Sequence, residues 1–557
     1  MRLFTDSAAQ ARALTVLTLL LSFGLAMTSA VQKSPTMDEQ NHIARGAAYL
    51  GTGDPRLSIE HPPLVNVLSA LPPHLLLDLE LPLDQWWEAA EWYHFADNFL
   101  WRTNDHPDRI VFLARLPIIG IGVLLNALAF RWASERFGAW AGLLAAVFAA
   151  LDPNLLAHQR LSTTDLGGTF FAFLAAYVFW KRGRRSSWVD VVWMGAALGL
   201  AFTAKLSALV FGPILALAWF VDGLLEHRDG SFRVARRIGR LGVIAGISLT
   251  VVWASYGFRV GPMDGLGRFV PAPPYARGIQ AVLDLAGGGR PAYLLGEVST
   301  EGWWYYFPVA FAVKTPLATL IALAAASWYL TRSPHRDDLY VVLPPLLFLL
   351  LSTTGRLNLG YRHLLPMLPF LAVHVSRLAN STAGSVRPRI VGWGSFGLAL
   401  WLGISTLALH PHYLAAFNVF AGGPGDGWRV LADSNIDWGQ DLKGLRNWMD
   451  HEDVDRVKLS WFGSARPDAY GVSHDLLPGV PYGFNAWQDP PFDPQDPEPG
   501  IYAISVSNLV GVALPDPGLY SWFRARPPDD KVGYSIFVYR VDVAAGEGQG
   551  RALCLER

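Results

Sequence analysis

Apolar runs approaching the roughly 20 residues that a helix needs to cross a bilayer recur from residue 14 to about residue 410, with short polar connections between them. The pattern predicts about eleven transmembrane helices, at 14–31, 110–132, 140–156, 166–180, 189–203, 206–221, 241–256, 305–330, 339–351, 364–375 and 390–409. Lys and Arg gather in alternate connections: the N-terminal tail (Arg2, Arg12), Arg131 to Arg136, Lys181 to Arg185, EHRDGSFRVARRIGR, TRSPHR and 377–389. Basic loops stay on the cytoplasmic side, so the N-terminus is expected inside and the protein in the plasma membrane. Facing out are then 32–109, DPNLLAHQRLSTTD, 258–304, STTGRLNLGYRH and everything past His410. The first run has a second reading, because a basic segment precedes it and AMTSA (26–30) resembles a signal-peptidase site; under either reading Asp38 lies outside.

Past His410 the hydropathy falls and Pro, Gly and Asp rise. This divides the chain into a transmembrane unit, 1–410, with a large first outer loop, 32–109, and an extracytoplasmic unit, 411–557. Strand-like runs RVKLSWFG, GIYAISVS and YSIFVYRV, with a helical DWGQDLKGLRNWM, make the second unit a small α/β domain. The expected fold is a multi-span α-helical membrane protein carrying a small C-terminal α/β domain. Composition agrees: 52% of the 557 residues are hydrophobic and only 16% charged, and 22 Trp suit long membrane–water boundaries. A net charge of -1 argues against a nucleic-acid partner, and the single cysteine, Cys554, rules out an intrachain disulfide or a Cys-rich zinc site.

Ionisable residues at or within apolar segments are costly and mark functional cavities. They cluster in the outer connections: Asp38, Glu39 and His42 in the first, followed by EHPPLVNVLSALPP; Asp152, His158, Arg160 and Asp165 in the second; Arg356, Arg362 and His363 in a later one. Lys205 and Lys314 stand in apolar surroundings. Structural roles compete. Thr36 to Glu39 and Ser162 to Asp165 both fit a capping box, in which a Ser or Thr and an acid three residues later satisfy the free amides of a helix start. The lysines can snorkel to a boundary, and Arg362 and His363 can anchor there. Asp38 and His42, four apart on one helix face, are the residues a divalent metal would use, although two ligands make no site. DSNIDWGQDL begins like a calcium loop but has Gly439 one place late and Gly444 where a bidentate Glu is required; Asp437 reads instead as a helix N-cap with Gln440 at N3. No Walker A, GxSxG or HExxH pattern occurs.

Taken in order, MDEQNHIARGAAYL, EHPPLVNVLSALP, LDPNLLAHQRLSTTDLGG, FAVKTP, GYRHLLPMLPFL and DSNIDWGQDL resemble the GT-C membrane glycosyltransferases. The nearest group contains the dolichyl-phosphate-mannose protein mannosyltransferases and bacterial polyprenyl-phosphate-sugar transferases. The resemblance implies transfer of a sugar from a polyprenyl-phosphate donor to a protein, lipid or glycan acceptor on the outer face. It carries the acidic pair onto Asp38 and Glu39, the HPP element onto His61, Pro62 and Pro63, and the second acid onto Asp165. Aminoarabinose-transferring relatives favour Lys where His61 stands, which argues against that sugar.

The residue chemistry fits. A carboxylate near the sugar C1, here Asp38, can take the proton of an acceptor hydroxyl. The leaving phosphate needs positive charge, for which His61, Lys205, Lys314, Arg356, Arg362 and His363 are the candidates. The competing function is a transporter or flippase of an anionic lipid, using the same charges as a path.

Overall fold

The computed structural model describes residues 7–185, 187–226, 234–263, 268–380, 386–479 and 492–542. Cys554, Arg2 of the basic N-terminal tail and parts of two further predicted basic connections, 227–233 and 381–385, lie outside the described residues.

All eleven predicted apolar runs are helical over most of their length. Among the described residues four helices are long and apolar enough to cross a membrane: Ser7–Gln32, Pro107–Phe137, Leu206–Glu226 and Val234–Ser255. The number rises to six if each of two bent pairs is one span. Those bends correct two of the expected continuous helices. The run 140–156 breaks into Ala139–Ala150 and Pro153–Gln159 at 64°, and 305–330 breaks into Tyr306–Lys314 and Leu317–Arg332 at 108°. Proline is the cause at both. Pro153 and Pro316 bring no N–H and push the residue before them, Asp152 and Thr315, out of the helical region. At the first break Asp152 also caps the new helix, accepting from the amides of Asn154 (2.9 Å) and Leu155 (3.0 Å).

The bundle core is aromatic where helices meet. Trp132 is fully buried among Phe173, Tyr177, Trp180 and Phe370, with ring centroids 5.0–6.0 Å away. The basic connections predicted to be cytoplasmic converge on buried acids: Arg136 (2.7 Å) and Arg377 (2.9 Å) on Asp338, and Arg184 (3.2 Å) and Arg336 (2.9 Å) on Asp222. The helix Thr164–Arg182 runs from Asp165 at one end to this arginine-rich region at the other, a span of about 28 Å at 1.5 Å per residue.

The C-terminal part forms a five-stranded mixed sheet in the spatial order His474–Leu476, Val457–Ser460, Gly500–Ser505, Ile536–Val541, Asp530–Val532. The first three are parallel and the last two pairings antiparallel. The three strand-like runs of the sequence supply its centre, and their near-continuous apolar character matches burial on both faces. One hydrophobic cluster runs unbroken from Trp132 in the bundle to Ile504 and Phe537 in the sheet. The predicted helix in DWGQDLKGLRNWM starts only at Leu442. Asp437 is therefore not its N-cap: the carboxylate accepts from Ser507 N (2.9 Å) and Gly439 N (3.4 Å), while Gln440 Oε1 accepts from Trp438 N (2.8 Å).

Candidate active site

Residues 433–440 form a strap against the start of the 32–109 connection. Ser34 N donates to Gln440 O (3.1 Å) and Met37 N to Trp438 O (2.9 Å), fixing the chain just before Asp38. The helix Glu39–Thr52 then begins, and the two adjacent acids part company. Asp38 keeps 33% of its side chain exposed; Glu39 keeps none.

Glu39 accepts from Arg115 Nε (2.8 Å) and Nη2 (2.7 Å), from Thr36 N (2.8 Å) and from Ser162 N (2.8 Å). The Thr36–Glu39 capping pattern is thus half realised, with the acid reaching back to the Thr36 amide. The pattern at Ser162–Asp165 is not, because Glu39 has taken the Ser162 amide. Asp165 bonds instead to Lys205 Nζ and accepts from Thr163 Oγ1 (3.1 Å).

Asp38, Asn41, His42 and Arg45 project from one face of their helix into a cavity of about 250 Å³. Close helix contact makes this face reachable: a β-carbon at Gly46 would stand 2.0 Å from the carbonyl oxygen of Asn66, so only glycine lets helix Pro63–Leu76 approach. His42 Nδ1 then meets Asn66 Oδ1 at 3.0 Å, and its ring stands edge-on to His61 at 4.6 Å. Burial pushes the His42 imidazole down to about 4 and that of His61 well below its usual range, so both rings are neutral at physiological pH.

The opposite wall carries Thr164, Asp165, Lys205, Arg362 and His363. Arg362 Nη1 lies 2.9 Å from Asp38 and 3.9 Å from Asp165, and its guanidinium stacks over Trp438 of the strap at 4.2 Å. Lys205 occupies the extended break after helix Trp188–Ala204. It lies against Gly168, where a β-carbon would stand 2.8 Å from its own, and so reaches Asp165 one helical turn away.

Of the residues singled out in the sequence, Asp38, Asp165, His61, Lys205, Arg362, His363 and His42 converge on this cavity. Glu39, Lys314 and Arg356 do not. Glu39 is sealed behind Asp38 by Arg115. Lys314 Nζ donates to the carbonyls of Leu414 (2.7 Å) and Asn435 (2.5 Å), tying two loop segments together. Arg356 is exposed outside the cavity, although its neighbour Leu357 lines it. Asn41, Arg45, Glu60, Trp92 and Arg290 also line the wall and were missed. Arg45 was within reach, since it continues the 38, 41, 42, 45 helical spacing, and Glu60 precedes His61 directly. Arg45 stacks on Trp92 at 4.6 Å. Nothing in the local sequence marks Arg290.

Asp38 and His42, the pair a divalent metal would use, both line the cavity. Asp38 is occupied by Arg362 and His42 by Asn66, and among the described residues no group of three or more His, Cys, Asp or Glu is placed to hold a metal ion.

The family model for dolichyl-phosphate-mannose-protein mannosyltransferase matches residues 111–256. That segment carries Arg115, Asp165 and Lys205. No curated protein matches the chain. Among solved structures the chain is similar to ArnT from Cupriavidus metallidurans bound to undecaprenyl phosphate, at 13% identity and a TM-score of 0.47, covering 95% of this chain and 98% of that one. It is also similar to the oligosaccharyltransferase of Archaeoglobus fulgidus, at 13% identity and a TM-score of 0.44, covering 86% of this chain and 59% of that one.

Proposed function

We propose that the protein is a membrane glycosyltransferase that moves a sugar from a polyprenyl phosphate to an acceptor hydroxyl, on the outer side of the membrane. The observation that carries this reading is one cavity in which a partly exposed carboxylate, Asp38, faces Lys205, Arg290 and Arg362. The family match over 111–256 and the motif order from Asp38 to the strap support it.

The donor phosphate enters among Lys205, Arg290 and Arg362, whose charges stabilise it as a leaving group. Its oxygens compete with Asp38 for the Arg362 guanidinium, so donor binding frees the carboxylate. The acceptor oxygen then attacks the sugar C1, Asp38 takes the hydroxyl proton, and the C1–O bond breaks with its electron pair passing to the phosphate oxygen. A single displacement of this kind inverts the anomeric centre. Asp165, bonded to Lys205 and 3.9 Å from Arg362, keeps those two cations at the phosphate rather than acting on the sugar. His61, His42 and His363 shape the wall, and neutral His42 and His61 leave the phosphate to Lys205, Arg290 and Arg362.

The test is purified Asp38→Asn protein, shown to be folded by its thermal midpoint, assayed against a panel of polyprenyl-phosphate sugars for release of lipid phosphate. Loss of a general base lowers the rate by about 10²–10⁴-fold. An unchanged rate would remove Asp38 as the base. Lipid translocation in vesicles without turnover of any donor would replace the transferase by a transporter.

A further inference from the structure

A second charged cluster is buried behind the cavity, where the first outer loop, the end of helix Pro153–Gln159 and the segments 410–413 and 439–442 meet. Its cations are Lys33, Arg115 and Arg160, and its carboxylates are Glu39 and Asp441. Both carboxylates are fully engaged. Glu39 serves Arg115, Thr36 and Ser162, as described above. Asp441 accepts from Lys33 Nζ, from Ser535 Oγ (2.6 Å) and from Gln440 Nε2 (3.1 Å).

Arg160 is left over. Its side chain is completely buried, and among the described residues none of its three nitrogens has a hydrogen-bond partner. A buried guanidinium with no hydrogen-bond acceptor is strongly unfavourable, and such a group in a native fold calls for an ion or water.

The other titratable groups at this junction do not supply the missing negative charge. His412 accepts from Lys33 through Nδ1 (2.7 Å), and burial pushes it down to about 4; burial also lowers His410. Burial raises the Tyr413 phenol and pushes Asp437 up to about 8, and the Asp437 carboxyl is already bonded to the amides of Ser507 and Gly439. Asp108, further out, is paired with Lys443 at 2.7 Å. Glu39 and Asp441 are bonded to Arg115 and Lys33, which leaves the Arg160 guanidinium without an acceptor of its own among the described residues.

We infer that Arg160 holds one small monovalent anion, of which chloride is the type, as a buried clamp between the loop that carries Asp38 and the C-terminal segment. Glu39 and Asp441 close by select against a phosphate or sulfate dianion. The apolar cluster of Leu156, Leu161, Tyr413 and Trp438 at the same junction favours an ion that sheds its water more readily than an oxyanion dianion does. Because Ser34 and Met37 are bonded to Gln440 and Trp438, the clamp acts on the segment that sets the position of Asp38.

The test is the thermal midpoint of the purified full-length protein, titrated with sodium chloride or bromide against sodium gluconate at constant ionic strength. The expected result is a saturable rise with either halide that gluconate does not give. In Arg160→Gln that response is lost, or its half-saturation moves up by at least about tenfold, as removal of a charge-assisted contact requires. A midpoint insensitive to the choice of halide or gluconate overturns the inference, as does an equal halide response in Arg160→Gln. A structure of the unaltered protein in bromide provides an arm that does not depend on the folding of the variant. Anomalous density at the Arg160 guanidinium supports the site, and its absence there overturns it.

Discussion

Replacing Glu39 by Gln separates a latch from a catalyst. The carboxylate is completely buried and receives four hydrogen bonds at 2.7–2.8 Å, two of them from the equally buried Arg115. An amide in the same place keeps one acceptor oxygen and turns an NH₂ group toward donors, leaving the Arg115 charge with only the carbonyls of Ala30, Lys33 and Ser34. Breaking one side of a buried ion pair costs about 3–5 kcal/mol. Glu39→Gln is therefore expected to lose about that much stability, measured by denaturant unfolding in detergent micelles. Arg115→Met should lose a similar amount. The double variant should lose about 0.5–3 kcal/mol less than the sum, because the second change no longer strands a charge. Turnover per folded molecule should fall only as far as the loop before Asp38 loosens. The reasoning fails if Glu39→Gln unfolds like the unaltered protein while its transfer rate collapses, since the acid would then be acting on substrate.

The remaining expectations concern other parts of the site. Lys314→Met leaves the buried carbonyls of Leu414 and Asn435 without their donor and should cost about 2–4 kcal/mol, with the donor KM unchanged; a raised KM without loss of stability would assign Lys314 to the phosphate after all. Asp437, pushed up to about 8 from an ordinary 3.8, binds a proton in the native state that the unfolded chain has released between those values. Stability should therefore fall as pH rises from 6 toward 8, by up to about 1.4 kcal/mol per pH unit, and Asp437→Asn should flatten that slope in a pH series of unfolding curves. Gly168→Ala places a β-carbon against the stem of Lys205 and should raise the donor KM more than it lowers the melting temperature; an unchanged KM would mean that Lys205 does not meet the phosphate.

Apolar run length fixed where the helices lie, because hydrophobic cost accumulates locally along the chain; hence Ser7–Gln32 and Pro107–Phe137 contain their predicted runs, 14–31 and 110–132, and extend past them. The two proline breaks were written in the sequence as DP and TP, yet their angles depend on what the freed segments pack against. The cavity was legible as a set of residue types: acids in early outer connections, bases in later ones. Which of them meet was not. Asp38 and Glu39 are neighbours with similar chemistry, and only the arrival of Arg115 and the Ser162 amide from distant segments assigns one to the interior and leaves the other open. Lys205 and Lys314 likewise read alike in the chain, each a lysine in apolar surroundings. One finds a carboxylate opposite it and the other two carbonyls, because the partner of a buried charge is chosen by long-range packing rather than by its sequence neighbours.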